Sequence, residues 1–246
     1  MRRGKDMYKN MCKNFPLWCK KEKSGEVLGK GKTSKHQIHG LLFDDCLNNH
    51  YNIHVNQTNE GVARMNLDQW FEKAMTVETY IANMETNQRE LESIYRQFEI
   101  QDDESFFRRL SDEKLRVIVL TEDWCGDAMV NVPVLLKLAE KAKMEVRMLL
   151  RDQNVELMDQ YLTNGTSRAI PIFIFIDQEG EERAVWGPRA ASLQKYVDEE
   201  RAKLPSKDDP NFQEEQEKLY KQMTERYSTD ARVWNDIYQS IKECLA

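Results

Sequence analysis

The sequence predicts an α/β fold, with a central mixed sheet, helices on both of its faces and extra helices at both ends of the domain. Three observations predict it. Val117, Ile118, Val119 and Leu120 form an apolar run with no polar alternation, the pattern of a strand whose sheet is covered on both faces. Directly after it, Met129, Val130, Val132, Leu135, Leu136, Leu138 and Ala139 recur at three- and four-residue spacing, which marks a helix with a buried stripe. Further on, the apolar run 172–176 and a second strand over 183–186 flank Asp177-Gln178-Glu179-Gly180, a turn that joins an antiparallel hairpin.

In chain order, helical periodicity begins at Leu67 and continues through Trp70, Phe71, Ala74, Met75, Tyr80, Ile81 and Met84. A second helix is predicted over 88–98, from Leu91, Ile94, Tyr95 and Phe98, and a short third over 105–110. The strand 117–120 follows, then the helix from Cys125 to 143 and a strand over 145–150. Residues 154–162 are expected to form a short helix, with Asn154 as its cap and Asn164-Gly165 as its stop. After the hairpin, a helix over 191–204 ends before Pro205, and 212–227 and 231–245 are two more. The last carries the stripe Trp234, Ile237, Tyr238 and Ile241, expected to pack on the main body. The order β-α-β-α-β-β-α calls for parallel strands first and an antiparallel pair after them. Four regions result: a basic extension over 1–64, expected to be disordered, a helical part over 65–114, a core over 115–204 and carboxy-terminal helices over 205–246.

The chemistry concentrates in Thr121-Glu122-Asp123-Trp124-Cys125-Gly126-Asp127-Ala128. Cys125 falls where a strand ends and a helix begins. A thiolate there meets backbone N–H groups and the positive end of the helix dipole, the setting that makes a cysteine nucleophilic. Trp124-Cys125-Gly126 followed by a helix resembles the active-site turn of the thioredoxin-like family, here with one cysteine in place of two. Pro133, eight residues on, resembles the proline of the family's active-site helix, and Ile170-Pro171 before the strand 172–176 resembles its cis-proline loop. Gly187 resembles its close-approach glycine. The likeness spans 115–204 and implies a thioredoxin-like fold, with Cys125 as the catalytic residue, a substrate surface of Trp124, Gly126, Ile170, Pro171 and Gly187, and a structural role for Pro133.

Two departures from the family bear on mechanism. Ala128 stands in place of the second cysteine, and Val119 in place of the buried acid that accepts a proton. Cys125 therefore cannot close a disulfide within the motif, and a mixed disulfide on it must be resolved by a low-molecular-weight thiol, a second protein, or Cys244 if the last helix folds back. The expectation is monothiol thiol-disulfide exchange with thiol- or disulfide-containing proteins or a small thiol, and no cofactor. The alternative is a redox-inert adaptor that keeps the docking surface of Trp124, Ile170 and Pro171. For Cys125 itself the competing structural role is a small buried hydrophobe. Trp124 is equally able to pack the turn, and Arg168 and Arg189, which flank the motif, are expected to be ordinary surface arginines.

Charge and composition exclude other classes. The net charge of −6 divides into 12 Lys+Arg against 6 Asp+Glu over 1–64, and 24 against 36 over the rest. So acidic a body repels phosphate backbones, which argues against nucleic acid as a partner. Five cysteines without tight spacing argue against a secreted disulfide framework, and no apolar run reaches the length of a membrane span, so a cytoplasmic, reducing setting is expected. All four histidines lie in 1–64, which removes a Cys-His hydrolase from the main body. Cys12, Cys19, His36, His39, Cys46, His50 and His54 match no standard zinc spacing, and no metal is expected.

Overall fold

The computed structural model describes residues 53–55, 65–101 and 103–246. Of the extension, only the strand β1 (Ile53–Val55) is described; the disorder expected of 1–64 and its candidate metal ligands otherwise lie outside the described residues.

Among the described residues, four helices precede the central strand: α1 (Leu67–Lys73), α2 (Val77–Asn83), α3 (Gln88–Gln97) and α4 (Glu104–Glu113). The single helical run expected over 67–84 is broken. Ala74 and Thr76 are extended, and Met75–Thr76 forms a two-residue strand, β2. The interruption has local causes at both ends. Asn66 begins α1 in a capping box with Gln69, and the Thr76 hydroxyl accepts the amide of Thr79 to restart the chain as α2.

The sheet is built on β3 (Arg116–Thr121), which pairs in parallel with β4 (Glu145–Leu150) and antiparallel with β6 (Ile172–Ile176). β7 (Glu182–Trp186) pairs antiparallel with β6, and β2 caps the other edge against β4, for the order β2-β4-β3-β6-β7. Val117 to Leu120 and every residue of β6 are buried, as runs without alternation require when helices cover both faces. Between β3 and β4 lies α5 (Gly126–Ala142), which ends at Lys143 in the left-handed conformation.

The segment after β4 departs from expectation. A 3₁₀ turn over Arg151–Gln153 leads into α6 (Val155–Met158), which ends one turn after it begins. Asn154 does not cap it: its side-chain amide donates to the Leu150 carbonyl at 2.7 Å. Tyr161 and Leu162, expected to end that helix, instead belong to the strand β5 (Tyr161–Thr163), paired antiparallel with β1.

Three helices close the chain: α7 (Ala191–Arg201), α8 (Phe212–Thr229) and α9 (Ala231–Cys244). The predicted stripe of α9 is buried against α5 and β7, together with Val233. The two ends of the domain also meet directly. Phe98 packs edge-on against Trp234 with 6.5 Å between ring centres, Lys242 donates to Asp103 at 2.6 Å, and Arg109 donates to the Leu245 carbonyl at 2.6 Å. With Leu219, Met223, Tyr227, Val233, Trp234, Ile237 and Ile241 buried, at roughly 2 kcal/mol per side chain, α8 and α9 are a fixed part of the fold.

Candidate functional site

The site forms where β3 gives way to α5. The turn between them is fastened on two sides. The Asp123 carboxylate accepts the amides of Glu85 and Thr86 at 2.7 and 3.3 Å, and the Glu122 carboxylate accepts the Asp152 amide at 2.9 Å. Burial raises the Glu122 pKa above the usual carboxylate range, against the pull of that amide. Trp124 is half-buried, with the Arg151 guanidinium 4.9 Å from its ring centre, and Arg151 in turn donates to the Arg168 carbonyl at 3.1 Å. The indole is thereby backed by the chain leading to Pro171.

Cys125 is the N-cap residue of α5, its carbonyl accepting the first helical bond from Met129 at 3.0 Å. Its Sγ lies 3.5 Å from the Ile170 carbonyl, to which it donates, and the Ile170–Pro171 peptide bond is cis. The sulfur has no solvent exposure. Gly187 holds the neighbouring loop against this one. At φ +136° it occupies a region that L side chains avoid, and a Cβ there would stand 2.2 Å from the Pro171 carbonyl oxygen. A second cis bond, Gly187–Pro188, follows at once. At Gly126, by contrast, a Cβ would meet nothing within 4 Å, so no contact demands glycine there. Pro133 is buried inside α5.

Sequence reasoning missed the buried polar group on the first turn of α5. Arg189, expected at the surface, is 3% exposed. Its Nε donates to Asp127 Oδ1 at 2.8 Å and its Nη2 to Asp127 Oδ2, while Nη1 donates to Gln194 Oε1 at 2.8 Å. Burial works to release the Arg189 proton, but the Asp127 carboxylate beside it more than offsets this, and its pKa ends above the ordinary guanidinium value. Tyr227, from α8, directs its hydroxyl at Asp127 Oδ1 from 3.5 Å. One helical turn beyond Asp127, Asn131 donates to the Pro188 carbonyl at 2.9 Å, so one face of α5 grips the 187–189 loop at two points. The signal was present. Asp127 and Asn131, at i and i+4, are the polar residues in an otherwise apolar stretch of helix, and such groups need partners from elsewhere in the fold.

Cys244 does not reach Cys125. Its Sγ donates to the carbonyl of Val185, on the edge strand β7, two strands from β3. Two strand spacings are about 10 Å, beyond the reach of a disulfide. Arg168 lies at the surface in a two-bond pair with Asp159.

A parallel pair followed by an antiparallel hairpin, with a cysteine heading the helix after the central strand and a cis-proline loop against it, defines a thioredoxin-fold protein. The family model described as Thioredoxin matches residues 74–203, slightly over half of the chain, and the chain belongs to that family. Two solved structures are similar, each 14% identical with a TM-score of 0.47. One is a Pseudomonas aeruginosa protein of unknown function, the match covering 73% of this chain and 99% of that one; the other is an HIV epitope-scaffold, with 72% and 96% covered. No curated protein matches the chain. The helices α8 and α9 lie outside the residues matched by the family model. Among the described residues, no helix is long and apolar enough to cross a membrane.

Proposed function

We propose that the protein performs thiol-disulfide exchange through Cys125 alone. The observation that carries this reading is the placement of the Cys125 sulfur, at the N-terminus of α5 and 3.5 Å from the Ile170 carbonyl of the cis-proline loop. When docking of a disulfide opens the loop over the sulfur, Cys125 gives its proton to water and the thiolate attacks one sulfur of that disulfide. A bond forms between Cys125 and that sulfur, the old S–S bond breaks, and the second sulfur leaves as a thiolate. With Ala128 in the motif and Cys244 turned to Val185, an outside thiolate then attacks the mixed disulfide and restores Cys125. Trp124, Ile170, Pro171 and the open face at Gly126 form the docking surface, and Gly187 and Pro133 hold its frame. The partners are thiol- or disulfide-bearing proteins or a small thiol, in a reducing, cytoplasmic setting; an acidic body of this kind does not suit nucleic acid.

One observation favours a second reading. A sulfur with no solvent exposure is also what a redox-inert docking module would have. Incubation of the folded protein with oxidised glutathione, followed by intact-mass and peptide analysis, separates the two. A glutathione adduct on Cys125 supports exchange. Adducts confined to other cysteines, with Cys125 modified only after denaturation, would establish the inert module.

A further inference from the structure

We propose that Asn131 and the Asp127–Arg189 pair are positioning residues for the docking surface: they fix the 187–189 loop, and through it the Ile170–Pro171 segment. The inference rests on the reading of Cys125 as the nucleophile and of Ile170–Pro171 as the segment that receives a disulfide-bearing chain. The contacts run without a gap from helix to loop. Asn131 Nδ2 donates to the Pro188 carbonyl at 2.9 Å, and Arg189 Nε and Nη2 donate to the two oxygens of Asp127, the first at 2.8 Å. From loop to docking segment the contact is backbone on backbone. A Cβ at Gly187 would stand 2.2 Å from the Pro171 carbonyl oxygen and 3.2 Å from Ile172 Cα, so the loop cannot shift that way without pushing the segment. Cys125 caps α5, and Asp127 and Asn131 lie on its first two turns. One helix therefore carries both the sulfur and the grip on the surface that faces it.

Neither grip is one that stability alone calls for. A buried ion pair is seldom better than apolar side chains of the same volume. Asn131 has no solvent exposure, and its Oδ1 has no partner among the described residues, a cost that a leucine of similar size would avoid. What both grips supply is direction: a guanidinium fork meets a carboxylate in one plane, and an amide N–H meets a carbonyl along a line. Arg189 is held from a third side, its Nη1 donating to Gln194 Oε1 at 2.8 Å, and Gln194 donates on to Asp198 at 2.8 Å. The loop thus has its place set by α5 and α7 together, with Tyr227 of α8 directed at Asp127 Oδ1 from 3.5 Å.

The test compares two probes that share one reacting disulfide: an extended alanine-rich peptide whose single cysteine carries thionitrobenzoate, and free cysteine carrying the same group. In either, the Cys125 thiolate bonds to the cysteine sulfur, the S–S bond breaks, and thionitrobenzoate leaves with the electron pair. The adduct on Cys125 is measured by quenched peptide mass spectrometry on the full chain over a series of probe concentrations, with melting curves to verify folding. The parent is expected to react faster with the peptide than with the cysteine probe at equal, sub-saturating concentration. Asn131→Leu is expected to lower that preference about tenfold, the loss appearing in the half-saturating peptide concentration rather than in the rate at saturation. Arg189→Lys, which keeps the charge opposite Asp127 but not the fork, is expected to lower it about threefold, and carries the test should Asn131→Leu fail to fold. Folded variants that keep the parent's preference, variants that lose rate equally with both probes, or a parent without any preference overturn the inference while leaving the exchange reading intact. A parent in which neither probe reaches Cys125 short of unfolding overturns both.

Discussion

Two thiols with nearly the same immediate partner sit at opposite helix ends. Cys125 precedes α5 and donates to the Ile170 carbonyl at 3.5 Å; Cys244 closes α9 and donates to the Val185 carbonyl at 3.4 Å. Cys244 is the more exposed. Access alone would therefore nominate Cys244, whereas the proposed exchange runs through Cys125. The difference lies in the field around each sulfur. Cys125 is at the positive end of a 17-residue helix whose first turn carries Asp127, paired with the buried Arg189, whereas Cys244 is at the negative end of its helix, and burial raises its pKa against the pull of the Val185 contact. On the proposed reading, the arrangement of fixed dipoles and charges is what would separate a reactive Cys125 from an inert Cys244, and several substitutions would break or sharpen that contrast.

The largest effect is expected from removing each sulfur in turn. Cys125→Ser abolishes mixed disulfides within the main body, and Cys244→Ser leaves the Cys125 adduct in place, as intact-mass analysis after incubation with oxidised glutathione would reveal. Adducts of equal yield on both cysteines would erase the contrast. Next comes Gly187→Ala, whose Cβ meets a backbone oxygen at 2.2 Å in a conformation foreign to L residues. It is expected to cost at least about 3 kcal/mol, or a fall of roughly 6–12 °C in Tm, while the environment of Cys244 stays unchanged. A smaller effect belongs to Cys244 itself. Its raised pKa means that the neutral thiol persists past the ordinary thiol range, so in the Cys125→Ser protein its alkylation rate should climb only at a pH above that at which an ordinary exposed thiol reacts. A plateau reached near neutral pH would refute this. Tyr227→Phe is the mildest. Its hydroxyl contact with Asp127 is long, at 3.5 Å, so a loss below about 1 kcal/mol is expected from denaturant titration.

Much of the frame was legible in the sequence because burial on both faces writes itself as uninterrupted apolar runs, as in β3 and β6, and burial on one face as helical stripes, as in α3 and α9. The elements that escaped are short. β2 has two residues, and the helical period passes through Met75 without a break, so only its pairing with β4 reveals it. β5 likewise exists through its pairing with β1. At the site, the residues of the motif could be read locally, since a strand, a turn and a helix are consecutive in the chain. The buried partners could not. Arg189 is 62 residues from Asp127, and Tyr227 is 100, and nothing in their own neighbourhoods marks them as inward-facing. Asp127 and Asn131 alone hinted that partners were needed.

The most direct test of the account is competition between the two sulfurs in one sample. The folded protein is treated briefly with iodoacetamide at pH 7, quenched, and mapped by peptide mass spectrometry for modification at Cys125 and Cys244. The account predicts that Cys125 is labelled first despite its burial. Labelling of Cys244 with Cys125 untouched until denaturant is added would contradict it.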